Sequence, residues 1–295
     1  MASKRIGVHN VNAIRIFMAV GILAVVHLII FHTILPNANG LQWFYLGVSG
    51  FIGLALGDLA YFGCLVRLGP RKGVLIMATN PIFSVAAAYV LLGEHLTWWM
   101  LLGIAVTMSG VFWVTLEKQM SESGPAETDK KTQKTGILLG IGGAAGQGIG
   151  LVLSKYGMFN AADDPSIGLN PFSATFIRVL IAGICFIVIM VAMGKMPQLC
   201  RSTRDKRSMI LLFGGALIGP FLGVWLSMVA VSHTHTGVAA TLLSLMPIMI
   251  IPIVWVLFRE KTSWRGIAGA AVAIIGVAIL FLGAEIAAAL STLFT

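Results

Sequence analysis

Residues 53–58, GLALGD, and residues 219–224, GPFLGV, open two stretches that lie over one another without a gap, at a constant offset of 166, as far as Val111 and Val277. Further along, residues 77–94, MATNPIFSVAAAYVLLGE, lie over residues 243–260, LSLMPIMIIPIVWVLFRE. Gly53, Gly57, Pro81, Glu94, Trp98 and Gly110 thereby meet Gly219, Gly223, Pro247, Glu260, Trp264 and Gly276. The matched positions fall inside apolar runs and at their ends, so the repeating object is a unit of membrane helices. Internal repeats of that kind are the mark of a transporter.

Composition leads to the same class. Hydrophobic residues make up 58% of the chain, charged residues only 11%, and the mean hydropathy is +0.93. A spanning helix needs about 20 predominantly apolar residues. Nine such runs can be read, at 12–35, 42–66, 71–92, 97–117, 135–157, 171–193, 208–231, 236–258 and 264–288. A first membrane repeat is expected over residues 1–117 and a second over 135–295, joined by the polar linker 118–134.

In a soluble protein the net charge of +9 would suggest nucleic acid, but its distribution here follows membrane sidedness. If the nine runs alternate direction, 18 of the Lys and Arg residues fall on one side and 2, Lys155 and Arg178, on the other. By the positive-inside rule the amino terminus is cytoplasmic and the carboxyl terminus external. The basic charge then reads as orientation and contact with anionic lipid headgroups, with no nucleic-acid partner. Cys64, Cys185 and Cys200 offer no disulfide framework.

Ala13-Ile14-Arg15 through Ala19 resembles Phe176-Ile177-Arg178 through Ala182, just ahead of the strongly repeated block in each half. Corresponding helices are five spans apart, an odd number, so the halves are expected to cross the membrane in opposite directions. The expected fold is an all-α polytopic membrane protein of about nine transmembrane helices in two inverted-topology repeats, four plus five. Such a fold offers equivalent half-sites to the two faces and supports alternating access.

These features resemble the drug/metabolite transporter superfamily, specifically the EamA-type permeases, over nearly the whole chain. The residues that carry the resemblance are Arg15 and Arg178, the Gly-x-x-x-Gly pairs at Gly53–Gly57 and Gly219–Gly223, Pro81 and Pro247, and Glu94 and Glu260, each Glu followed by a short Thr-Trp or Thr-Ser-Trp step. The resemblance implies ten helices in two sets of five, with export of metabolites or amino acids as the usual activity. Here the first half has four runs, and the counterpart of 135–157 is expected upstream of Met1 or lost in a nine-helix variant. A bacterial inner (plasma) membrane is the expected location.

Ionisable groups within hydrocarbon are costly and mark functional sites by default. Asp58, with Tyr61 on the same helix face, is the clearest, as a substrate or proton contact or as a structural partner of Arg15. His27 is the second candidate for proton coupling. Arg178 either binds an anionic group of the substrate or snorkels outward to Asp163 or Asp164, the structural role being favoured. Asn80, Gln147, Trp225 and Ser244 are further candidates for substrate binding, and Ser84 a neighbour of Asn80 at i+4. Pro81 and Pro247 remove helix hydrogen bonds in mid-membrane and are expected to kink or gate their helices. Gly142, Gly146 and Gly150 form a small-residue stripe expected to serve close helix packing. Glu94 and Glu260 are expected to cap helices or pair with Arg.

No enzyme signature is present, and no cofactor or metal is expected: His233 and His235 have no acidic or Cys companion, and no phosphate-binding Gly-Lys-Ser/Thr loop exists to use ATP. The reading is therefore a secondary transporter that exports a small polar or amphipathic, amino-acid-like metabolite and that meets lipid and that substrate, with a homodimer as an open option. The alternatives are a scaffold or receptor that keeps the fold without transport, and an uptake permease.

Overall fold

The computed structural model describes residues 8–120, 130–164, 167–203, 206–249 and 264–293. Twelve α-helices are described: α1 Val8–Phe31, α2 Gly40–Ser49, α3 Gly57–Met77, α4 Asn80–Leu92, α5 Trp98–Met120, α6 Lys130–Lys155, α7 Pro171–Ala192, α8 Met196–Ser202, α9 Lys206–Ala216, α10 Val224–His233, α11 Thr236–Leu243 and α12 Trp264–Leu293. No strand occurs among the described residues. Inside lipid the backbone must satisfy its own amides, and a helix does so within one segment.

Eight helical stretches among the described residues are long and apolar enough to cross a membrane, and they coincide with eight of the nine expected runs. The remaining run, 236–258, is a shorter apolar helical stretch over Thr236–Met249 with a turn at 244–245, and residues 250–263 lie outside the described residues. Glu260 therefore also lies outside them. The protein is an integral membrane protein.

Local sequence sets the helix ends. Asn39 caps α2 with its side chain accepting from the Gln42 amide while Gln42 reciprocates to the Asn39 amide. Asn170 accepts from the Phe172 amide, with Pro171 preset for the first turn of α7. Gly69, at φ 82, interrupts α3 ahead of Pro70, and Gly93, at φ 63, ends α4 in the left-handed conformation that a side chain disfavours.

Three π-helical segments are described: Tyr156–Asn160 closes the span that α6 begins, and the other two interrupt long spans. Gly50–Leu56 joins α2 to α3, and Leu217–Gly223 joins α9 to α10. Applying the offset of 166 puts them within one residue of each other, so the repeat seen in sequence extends to a rare backbone geometry.

The chain divides into two compact units, Met1–Phe62 with Ile149–Thr234, and Gly63–Gly148 with His235–Thr295, each drawing helices from both sequence halves. In the first, α1 lies against α7: Gly183 faces Val20 and Ile16, while His27 meets Ser173. Numbers rise along one helix as they fall along the other, so these two Arg-bearing counterparts run antiparallel. Their shared core is rich in phenylalanine, with Phe172, Phe176 and Phe186 buried beside Ile16 and Leu23.

In the second unit α5 lies along α12. Gly103 approaches Leu280, Thr107 approaches Gly276, Gly110 approaches Ala273 and Val114 approaches Gly269, again antiparallel. Shifting Thr107 forward and Gly276 back by the offset of 166 gives Ala273 and Gly110, which is itself one of these contacts. The pair is thus locally two-fold symmetric, with glycines letting backbones meet where lipid supplies no hydrophobic drive between helices.

The expected stripe of Gly142, Gly146 and Gly150 is corrected in part. Gly136, Gly140 and Gly148 face Leu68, Ile76 and Asn80 of the second unit, and Gly150 faces Gly53 of the first, whereas a Cβ on Gly142 would meet nothing within 4 Å. The helix changes neighbours along its length, so no single stripe serves all of it.

A Cβ on Gly110 would lie 2.5 Å from the Ala273 amide nitrogen and 2.7 Å from the Gly269 carbonyl oxygen, both main-chain atoms that cannot swing aside. Gly110→Leu is expected to lower stability in detergent by about 1–3 kcal/mol, while Gly142→Ala leaves it unchanged or slightly raised; equal melting temperatures for the two variants would contradict the packing described.

Candidate functional site

The two prolines stand at helix breaks. Helix α3 ends at Met77, Ala78 and Thr79 form a turn, and α4 begins at Asn80 with Pro81 in its first turn. Helix α11 ends at Leu243, Ser244 and Leu245 form a turn, and helix resumes over 246–249 with Pro247 second. At each proline the helix is interrupted by a two-residue turn, with Thr79 and Ser244 staying in the right-handed helical region, and a new helix starts there, where a proline ring is tolerated because the first-turn amide has no partner in any case.

The backbone bonds around the two breaks match. Ala78 donates to Val74, Thr79 to Ile76 and Ile82 to Thr79; at the second break Ser244 donates to Ala240, Leu245 to Leu242 and Ile248 to Leu245. Each bond of one set maps on the other at the offset of 166. Hydroxyls close both turns: Thr79 Oγ1 donates to the Ile76 carbonyl at 2.6 Å and Ser244 Oγ to the Thr241 carbonyl at 2.7 Å.

Three more of the expected residues gather near the first break. Ser84 Oγ bonds Asn80 Oδ1 at 3.1 Å and the Gly148 carbonyl at 3.3 Å, and Gln147 immediately precedes that glycine. Gly148 packs on the Asn80 carbonyl and the Ser84 amide, so a larger residue there would displace both. Sequence placed Asn80 and Ser84 together at i+4; the partnership with Gly148 is a tertiary contact that spacing could not give.

In the first unit Asp58 and Tyr61 are partly buried in the first turns of α3, directly after the π segment Gly50–Leu56. Arg15 donates from Nη2 to the Gly215 carbonyl at 3.2 Å, on the opposite repeat's counterpart of that region. The alternative of a structural Arg15–Asp58 pair is thus replaced by a main-chain acceptor for Arg15.

His27 is 1% exposed and engaged at both ring nitrogens. Nδ1–H donates to the Thr33 carbonyl at 2.9 Å, which leaves Nε2 to accept from the Ser173 hydroxyl at 3.3 Å. The ring lies 4.7 Å from Phe31 and 5.4 Å from Phe176 between centroids. Trp225 joins the same aromatic cluster edge-on to Phe172 at 5.5 Å.

Arg178 is 3% exposed, enclosed by protein. The favoured expectation of an outward pair with Asp163 or Asp164 is therefore corrected: Asp163 Oδ1 accepts from Asn39 Nδ2 at 2.9 Å, while Arg178 Nη1 points at Met228 Sδ, 3.0 Å away. Met228 went unnoticed in the sequence because a methionine in an apolar run carries no polar signal.

Glu94 caps α11. Its carboxylate accepts from the Thr236 amide at 2.7 Å and the Thr236 hydroxyl at 3.1 Å, with His235 Nδ1 at 3.7 Å. A negative charge at a helix start meets the positive end of the dipole. At the end of α10, Lys155 Nζ donates to the Thr234 carbonyl at 2.6 Å. Among the described residues no group of three His, Cys, Asp or Glu side chains is placed to hold a metal ion.

Broken and π-interrupted spanning helices, repeated at one offset, define a polytopic membrane protein of transporter type. The sequence matches the EamA-like transporter family over residues 1–116 and 134–282. The chain belongs to that family, which is one of membrane transporters and not of enzymes. No curated protein matches the chain. A solved structure described only as "Crystal structure of protein" is similar over 95% of this chain and 91% of that one, with a TM-score of 0.69 at 14% identity, a likeness of fold alone.

Replacing Glu94 by alanine removes the acceptor for two donors at the start of α11. Loss of a helix cap costs about 0.5–2 kcal/mol; Glu94→Ala is expected to fall in that range in thermal unfolding, and Glu94→Gln, which keeps an acceptor oxygen, to lose less. A Glu94→Ala protein as stable as the parent would remove the cap from the account.

Proposed function

We propose that the chain is a secondary transporter that moves a small polar or amphipathic metabolite, amino-acid-like in size, by alternating access, and that it exports it. The observation that carries this reading is the identical pair of helix breaks at Pro81 and Pro247, together with repeat counterparts, α1 with α7 and α5 with α12, that run antiparallel. Counterparts in opposite directions are what an inverted-topology repeat requires, and such a repeat lets the two halves exchange conformations so that one site opens to either face.

Non-helical backbone at membrane depth is tolerated where it is buried in protein or lines a water-filled cavity. Proline at 81 and 247 leaves the Met77 and Leu243 carbonyls without the amide that would follow in a continuous helix. These carbonyls, with Asn80, Ser84, Gln147 and Ser244 nearby in sequence or space, supply acceptors and donors for a polar solute. Within the first unit, Asp58, Tyr61, Arg178 and Trp225 offer charge and an aromatic face of their own.

Without an ATP-binding loop, an ion gradient or the substrate's own gradient drives the cycle. Asp58 is the proposed proton carrier, since His27 already uses both nitrogens in packing α1 to α7. The charge distribution supports a cytoplasmic amino terminus and an external carboxyl terminus, and the setting we propose is a bacterial plasma membrane.

Untargeted metabolite profiling of medium from cells overproducing the chain tests this directly, with Asp58→Asn at matched membrane abundance. A compound that accumulates outside with the parent and is lost in the variant is the expected result. Unchanged medium with the parent would count against export, and parental rates in Asp58→Asn would remove that carboxyl from the mechanism.

A further inference from the structure

We propose that Arg178 anchors a carboxylate of the transported molecule; the inference rests on the transporter reading above and gives its substrate a charge. Arg178 is the eighth residue of α7 and lies on its buried face. A guanidinium is always protonated, has five N–H donors and accepts nothing. Here Nη1 has only the Met228 sulfur, a weak acceptor, at 3.0 Å, and Nε has no hydrogen-bond partner at all. Among the described residues no carboxylate oxygen lies within ion-pair distance of the group.

The repeat supplies an internal control. Arg15 holds the corresponding place in the first half, and its Nη2 is satisfied by the Gly215 carbonyl at 3.2 Å. The residue that corresponds to Gly215 at the offset of 166 is Ser49, and its hydroxyl is turned to the Gly150 carbonyl instead. Both arginines bury an Nε without a partner, but Arg15 has a main-chain carbonyl for its fork, whereas Arg178 has only a thioether sulfur.

An unpaired charge taken out of water costs several kcal/mol. Such a group is retained where an incoming anion completes it, and a carboxylate fits because two of its oxygens match the parallel N–H bonds of the guanidinium fork. Met228 lies one helical turn beyond Trp225, whose ring meets Phe172 on the same helix as Arg178. An organic body attached to the carboxylate would find a polarisable, aromatic surround rather than a second charge.

The test uses the full chain in detergent and reads thermal unfolding with matched pairs: acetate and acetamide, benzoate and benzamide, N-acetylleucine and its amide. At least one carboxylate is expected to raise the melting temperature while its amide does not. Arg178→Met, which keeps length and removes charge, is expected to weaken that carboxylate on the order of 100-fold, and Arg178→Lys to weaken it less. Because the charge is uncompensated in the empty protein, Arg178→Met without any probe should melt at or above the parental temperature.

A markedly lower melting temperature for Arg178→Met without probe would make the arginine a structural element and overturn the proposal. So would a parent that responds to no carboxylate, or to amides equally. Transport is separated by profiling the same variants in cells. Parental export by Arg178→Met would reject the anchor and leave the transporter standing, whereas Arg178-dependent carboxylate binding by a parent that exports nothing would do the reverse.

Discussion

Inside lipid every amide that leaves the helical ladder must find another partner, and this constraint governs the rest of the structure. Among the described residues the chain leaves the ladder at the π segments Gly50–Leu56 and Leu217–Gly223 and at the turns before Pro81 and Pro247, each recurring at the same place in both halves, and at a third π segment, Tyr156–Asn160, that closes one span. At the breaks the bonds tighten from four residues to three, and Thr79 and Ser244 hydroxyls cover carbonyls of the preceding turn. Such interruptions cost stability in a membrane and gain from it only where the backbone must move or meet something polar. Two copies at one offset are what a transporter with exchangeable halves would keep.

Close packing holds these weakened helices in place. Helix α5 meets its counterpart α12 through Gly103, Gly110, Gly269 and Gly276, leaving little room for side chains between them. Helix α1 meets its counterpart α7 differently, through the phenylalanine-rich core and the His27 ring. One pair is a backbone contact and the other a side-chain core, although both descend from the same repeat. The aromatic cluster also gathers Trp225 beside the helix that carries Arg178.

Much of this was legible in the sequence. Apolar length places the spans, and the offset of Pro81 to Pro247 marks both interruptions. The Gly-x-x-x-Gly pairs at Gly53–Gly57 and Gly219–Gly223, which carry part of the family resemblance, lie in or beside the π segments, a geometry that their spacing alone does not announce. Features that depend on which neighbour arrives were not legible. Gly142 shares helical spacing with Gly150 yet faces open space, Arg178 sits at a helical depth that suggested snorkelling yet is enclosed, and the partnership of Ser84 with Gly148 crosses 64 residues. In each case local pattern fixes a face and tertiary packing decides what that face meets.

In an inverted repeat, counterparts cross the membrane in opposite senses. Positions 95 and 261 are counterparts at the offset of 166, so single cysteines introduced there as His95→Cys and Lys261→Cys, with Cys64, Cys185 and Cys200 replaced, report on it directly. In intact cells a membrane-impermeant maleimide should label the cysteine at 95 and reach the one at 261 only after the membrane is opened. Labelling of both from the same side would contradict the inverted repeat and the alternating access built on it.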